Sequence, residues 1–251
     1  MKEWYTRFYE AAASSEAYTE FCRRAYGVSL RQHGFADTEQ LHLAAEALQL
    51  SPESRVLELG CGDGGIAEYL SDRTGARFHG IDYIPSAIRQ AEERTREKAD
   101  RLSFEVKDMG DLTLEPVAFN GALSVDALYF TDEVSTLERL VRGLAPGSPM
   151  AFFYTHDLFD GHEHEVETLE PGGTPVGRAL ATLGLAFATT DLSPQDCRYA
   201  RRAASALEDL RPAFEREGNQ FLYENRWAEA QGQQRLSRLG RTRRYLYLAR
   251  A

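Results

Sequence analysis

Cysteine is scarce in this chain of 251 residues, with only Cys22, Cys61 and Cys197. They lie far apart and form no CxxC pair, which argues against a disulfide framework or a cysteine zinc site and fits a reducing compartment. No apolar run is long enough to span a membrane, and no charged-then-apolar leader is present. A soluble, cytoplasmic chain without a membrane partner is therefore expected. Internal repeats, low-complexity tracts and long flexible linkers are absent as well. Positive charge is in deficit: 29 Lys and Arg stand against 39 Asp and Glu, a formal net charge of −10. Such a chain repels phosphate backbones unless it carries a concentrated basic patch. Two clusters exist, Arg201-Arg202 and Arg241–Arg244. The second is interleaved with the Leu and Tyr of a strand pattern and reads as a solvated strand edge. Nucleic acid is not an expected partner; small neutral or cationic molecules are compatible with the charge.

What the chain does contain is Val56–Gly65, VLELGCGDGG, a short apolar run ending in a glycine-rich turn. A helix-competent segment, Ile66–Leu70, follows. Strand, glycine turn and helix is the layout in which a parallel sheet presents a ligand site at its strand C-termini. Glycines let the backbone bend sharply and let a ligand approach the main chain. Gly60, Gly62 and Gly65 satisfy the G-x-G-x-x-G of dinucleotide binders. Glu58, Gly60, Gly62 and Gly64 equally satisfy an acidic-x-G-x-G-x-G turn. The glycines alone do not decide between the two.

From Arg55 the pattern alternates strands and helices. Strands are predicted at 56–59, 78–82, 102–106, 122–125 and 150–154, with helices at 85–98 and about 132–144. Repeated units of this length indicate a parallel sheet with helices on both faces. A polar loop, His156–Thr174, leads to a helix near 175–183 and a strand over 185–190. Residues 193–235 are predicted mostly helical, and Arg244–Leu248 reads as a closing strand. Residues 1–50 hold an aromatic cluster at helical spacing, and Asp37 with Gln40 resembles a capping box for a helix through Leu48. They form either a helical layer over a sheet edge or a lid over a ligand.

The candidate chemistry follows the strand ends. Asp82 ends the second strand, eighteen residues after Gly64. Its two acceptor oxygens match the adjacent hydroxyls of a ribose. Asp108 follows the third strand, where a carboxylate can accept an amino hydrogen of adenine while Met109 packs on the ring.

Glu58–Gly64, then Gly80-Ile81-Asp82, then Lys107-Asp108-Met109, then Pro146-Gly147 resemble the successive motifs of class I S-adenosylmethionine (SAM)-dependent methyltransferases. The resemblance covers about Arg55–Tyr154 and extends to the final strand. It implies an α/β, Rossmann-like fold: a mostly parallel seven-stranded sheet, an antiparallel C-terminal strand and a helical cap. It implies an N-terminal lid over 1–50, a SAM-binding core over 51–192, a helical insertion over 193–235 at the acceptor pocket, and a final core strand over 236–251. SAM is the implied cofactor and S-adenosylhomocysteine the product. Glu58, Gly60, Cys61, Gly62 and Gly64 would surround the methionine part, Asp82 the ribose, and Tyr83, Asp108 and Met109 the adenine. Ser124 and Val125 would lie beside the sulfonium, and Tyr26 could close over it.

The implied activity is methyl transfer to a small molecule on nitrogen or oxygen, or on carbon, by a monomer or homodimer. Where base-methylating relatives carry Asn/Asp-Pro-Pro-aromatic, this chain reads Ser124–Phe130, which argues against nucleic-acid amino methylation. Asp126, Tyr129 and His156 are candidate bases, and His33, Tyr129 and Trp227 are candidate acceptor contacts. His162-Glu163-His164-Glu165 lacks H-E-x-x-H spacing, and no metal is expected. Two other readings stay open: an NAD(P)-dependent oxidoreductase, and a SAM-binding protein without catalysis.

Overall fold

The computed structural model describes residues 1–159 and 163–251. Seven strands form one sheet: β1 (Arg55–Leu59), β2 (Arg77–Asp82), β3 (Leu102–Val106), β4 (Gly121–Val125), β5 (Pro149–Asp157), β6 (Phe187–Asp191) and β7 (Thr242–Arg250). Their order is β3-β2-β1-β4-β5-β7-β6. The pairs from β3 through β5 are parallel, and β7 runs antiparallel to both β5 and β6. The chain winds outward from β1 in one direction and from β4 in the other. The switch point therefore lies between β1 and β4, where doubly wound sheets open a crevice at their strand C-termini.

The helices are α1 (Lys2–Ser14), α2 (Glu16–Tyr26), α3 (Thr38–Ala47), α4 (Gly65–Thr74), α5 (Pro85–Arg94), α6 (Glu133–Gly143), α7 (Pro175–Thr182), α8 (Ser193–Glu217) and α9 (Gln220–Arg238). Alternate strand residues face opposite sides. Val56, Leu123, Val125 and Phe153 pack with α3, α4 and α5, while Leu57, Leu59, Met150 and Phe152 pack with α6 and α7. Both faces are covered, which is why β1 beyond Arg55 and all of β4 are buried. A third cluster joins α1, α2, α8 and α9 over the start of α5. Of residues 1–50, α1 and α2 thus join this cap, whereas α3 lies on the sheet. Ser15 accepts the Tyr18 N–H at 3.0 Å, and Glu217, at the end of α8, accepts from Ser15 Oγ and the Ala17 N–H. Two sequence-distant helices thereby share one cap.

Three expectations change. The helix expected over 85–98 stops at Arg94 and continues as a 3-10 turn over Arg96–Lys98. The Thr95 hydroxyl donates to the Ala91 carbonyl at 2.8 Å, a side-chain bond that competes with the helix ladder. The loop expected from His156 starts later, because β5 pairs with β7 out to Asp157 and Thr242. The largest change concerns Arg241–Arg244. β7 lies inside the sheet rather than at its edge, and Arg244 is fully buried. Its guanidinium grips Asp126 at 2.5 and 3.0 Å, Thr155 Oγ1 at 2.8 Å and Gln40 Oε1 at 3.0 Å.

Removing one partner of a buried ion pair strands the other charge. Arg244→Met is expected to cost about 3–5 kcal/mol of folding stability in urea denaturation. A loss below about 1 kcal/mol contradicts this role for the pair.

Candidate functional site

β1 delivers the chain into the turn Gly60–Gly64, and α4 leaves it. Gly60, Gly62 and Gly64 have φ of +70°, +56° and +73°, which only glycine adopts without strain. A side chain would also collide: at Gly60 with Ala127, at Gly62 with the Tyr9 hydroxyl. The turn is tied to β2, because the Gly60 and Cys61 N–H groups donate to the Ile81 carbonyl at 2.9 and 3.0 Å. Asp82 completes the tie. Its Oδ2 accepts the Gly62 N–H and its Oδ1 the Ile84 N–H, each at 2.9 Å. Each oxygen keeps a further lone pair, and Asp82 lines the cavity above the turn. Burial pushes its carboxyl above the usual range, against those backbone bonds.

That cavity takes in about 660 Å³, open solvent at its mouth included. Gly60, Cys61, Gly62, Asp82, Tyr83 and Met109 line it, together with His33 and Asp126. Tyr83, Asp108, Met109 and Phe130 border an adjoining hollow, where the exposed Asp108 carboxylate accepts the Gly110 N–H at 2.8 Å. These residues converge from four strand ends, as the spacing predicts.

The other expected site residues lie elsewhere. Gly64 packs against the Phe104 ring. Ser124 is fully buried and donates to the Leu59 carbonyl at 3.1 Å, stitching β4 to β1 behind the site. Tyr26, at the end of α2, is buried in the cap, with its hydroxyl 2.8 Å from that of Tyr199 and 3.3 Å from Arg226 Nη1. Trp227 stacks on Tyr223 at 6.1 Å within the same cap. His156 reaches Thr168 Oγ1 at 2.9 Å and does not border the cavity. Tyr129 accepts the Thr155 N–H at 2.7 Å and donates to Asp126 Oδ1 at 3.2 Å. Asp126, at φ +54°, is gripped by Arg244 and also accepts the Phe35 N–H at 2.7 Å. A carboxylate with its lone pairs so committed positions the wall of the site rather than serving as a free base. His162 and the side chains of Glu163 and His164 lie outside the described residues.

Several contributors carry no sequence signal. Tyr5 and Tyr9 of α1 and Leu30, Gln32 and Gly34 of the loop between α2 and α3 line the cavity. Asp63 holds the loop down: it accepts the Gly65 N–H at 3.3 Å and pairs with Arg94 at 3.2 Å and Arg31 at 3.5 Å. Glu58 is buried just behind the turn, with Oε2 lacking a hydrogen-bond partner among the described residues.

The sheet order and the reversed last strand are those of a Rossmann-like class I methyltransferase fold. Residues 56–147 match the family described as Methyltransferase domain (Methyltransf_25). It is 33% identical over 151 residues to a trans-aconitate 2-methyltransferase of Methylobacterium nodulans, covering 59% of this chain and 56% of that protein. The chain spans about half the length of the curated relatives it matches. Its fold resembles the cyclopropane synthase MmaA2 of Mycobacterium tuberculosis, with TM-score 0.76, 15% identity and 98% of each chain covered. It also resembles Haemonchus contortus phosphoethanolamine N-methyltransferase 2, solved with phosphomonomethylethanolamine and S-adenosylhomocysteine. There the TM-score is 0.76 at 18% identity, over 97% of this chain and 60% of that one.

Burial, and next the nearby Asp82 and Asp63 charges, push the Glu58 carboxyl up to about 8. Its folded pKa lies above its unfolded one, so its contribution to stability is full below about pH 4.3 and is lost as pH rises toward 8. In urea denaturation across pH 5 to 8, Glu58→Gln is therefore expected to gain stability relative to the unsubstituted chain as pH increases. A pH-independent difference between the two contradicts the buried, protonated Glu58.

Proposed function

We propose that this chain binds SAM on the Gly60–Gly64 turn and transfers its methyl group to a small molecule. The observation that carries the reading is Asp82, a cavity-lining carboxylate braced by two backbone N–H groups with lone pairs to spare. Two vicinal ribose hydroxyls need two acceptors held at fixed separation, and this carboxylate supplies them. The side-chain-free cradle of Gly60 and Gly62 fits a methionine moiety drawn close to the main chain. Met109 and Tyr83 offer apolar faces for adenine, and Asp108 an acceptor for its amino group.

A specific observation favours SAM over a nicotinamide dinucleotide. Pyrophosphate cradles use the free N–H groups and positive end of a helix N-terminus. Here the Asp63 carboxylate already accepts the Gly65 N–H, and a Cβ on Gly65 would strike the Leu30 carbonyl. An anion at the start of α4 would face a buried carboxylate.

When bound, SAM supplies a methyl carbon activated by positive sulfur. The chain's part is to orient the acceptor in line with that carbon and to exclude water. Tyr5 and Tyr9 of α1 and the loop from Leu30 to Gly34 form the wall opposite the sheet, and the Phe35 N–H bond to Asp126 fastens this loop to β4.

Asp82→Asn replaces one acceptor oxygen by a donor. It is expected to weaken SAM binding tenfold or more in equilibrium dialysis and to lower the thermal midpoint as well, because one buried backbone N–H of the turn loses its acceptor. Unaltered affinity overturns the assignment of Asp82 to the ribose.

A further inference from the structure

Resting on the reading above, the geometry points to the acceptor's chemical class: we propose an uncharged, largely apolar molecule whose O–H or N–H is received by His33, with Glu229 and Arg226 as positioning residues.

The charge inventory of the cavity comes first. No lysine or arginine lines it among the described residues. Of its acids, Asp63 is paired with Arg94 and Arg31, and Asp126 with Arg244. Asp82 has backbone N–H groups as partners and no cation. A phosphate or carboxylate on the acceptor would be desolvated in a cavity whose lining offers no protein cation to meet it. The remaining wall is aromatic and neutral. Tyr5 meets Phe130 edge-on at 5.6 Å and the His33 ring at 5.2 Å.

His33 is the one titratable nitrogen on this wall, and it is held from three directions. Trp4, Tyr5 and Phe8 pack edge-on against its ring at 5.3, 5.2 and 4.9 Å. Arg226, fully buried, donates through Nη1 to the His33 carbonyl at 2.9 Å. One turn along α9, Glu229 places Oε1 3.4 Å from His33 Nε2 and Oε2 3.0 Å from Arg226 Nη2. His33 Nε2 is buried and makes no hydrogen bond among the described residues, with Glu229 Oε1 facing it at 3.4 Å as an ion-pair contact. Burial and then the Arg226 charge hold the ring's pKa well below its ordinary value, so the imidazole is neutral and has a lone pair to offer. A proton on Nε2 turned toward Glu229 leaves Nδ1 as the accepting nitrogen.

The step balances simply. The acceptor's O–H or N–H bond breaks and its proton passes to His33. The freed electron pair forms the bond to the methyl carbon. The carbon–sulfur bond breaks with its pair left on sulfur, giving S-adenosylhomocysteine. No residue of α8 or α9 lines the cavity among the described residues. The cap reaches the chemistry through this Arg226–Glu229–His33 line.

The test titrates the full chain with S-adenosylhomocysteine, then the loaded protein with 2-naphthol, phosphoethanolamine or trans-aconitate, following the His33 imidazole 15N resonances. Expected are binding of S-adenosylhomocysteine, and binding of 2-naphthol with a shift of those resonances. Neither anion should bind in the cavity. His33→Phe, which keeps an aromatic ring in the packing, should weaken 2-naphthol tenfold or more and leave S-adenosylhomocysteine affinity within twofold. Glu229→Gln should change the His33 15N pattern while the fold persists. Failure to bind S-adenosylhomocysteine overturns the underlying reading and this inference with it. If it binds, then absent 2-naphthol binding, preference for an anion, or indifference to both substitutions overturns the inference alone.

Discussion

One buried guanidinium holds the sheet, the α3 layer and the ligand cavity in register. Arg244 enters from β7, a strand that joins the sheet last in the chain, and its nitrogens are spent on Asp126, Thr155 and Gln40. Those partners belong to the end of β4, to β5 and to α3. Asp126 carries the connection onward to the Phe35 N–H, and so to the loop that closes the cavity. Removing two charges from water is costly unless their remaining hydrogen-bonding groups are satisfied, and here nearly every lone pair and N–H is used. The positive φ of Asp126 is part of the same arrangement, since it turns the carboxylate back toward Arg244. The cavity wall is therefore only as well placed as this ion pair.

The glycine turn obeys a related logic. Its backbone could bend many ways, and two carboxylates restrict it. Asp82 accepts from Gly62 and Ile84, and Asp63 accepts from Gly65 while bound to Arg94 and Arg31. Glu58 adds a third acid behind them. Burial, and then the charges of Asp82 and Asp63, raise the proton affinity of Glu58, the most deeply buried of the three. A turn braced in this way presents open main chain and spare carboxylate lone pairs, not a phosphate-binding helix end.

The sheet was legible in the sequence because its signals are local. Period-2 apolar runs, turn glycines and strand-end acids placed all seven strands to within a few residues, and Gly60, Gly62, Asp82, Tyr83 and Met109, which the motifs single out, line one cavity. What depends on tertiary partners was not legible. Arg244 in a Leu/Tyr pattern looks like a solvated edge until β6 is seen to pair on its far side. Asp126, Tyr129 and His156 sit after the right strands, yet the first two are consumed by bonds to Arg244 and Thr155, and the third turns toward Thr168. Tyr26 has the right chemistry for a lid and faces the cap core instead. Conversely Tyr5, Tyr9 and Gln32 belong to no motif and line the cavity only because α1 and the loop between α2 and α3 fold over the turn. Arg226 and Glu229, one helical turn apart, gain meaning only opposite His33.

The central claim is that this braced glycine turn is a SAM site. It is tested most directly by calorimetric titration of the purified chain with S-adenosylhomocysteine, with NADH as the control ligand. The account predicts one-to-one binding of S-adenosylhomocysteine and none of NADH. Binding of NADH alone, or of neither ligand by folded, ligand-free protein, would contradict it.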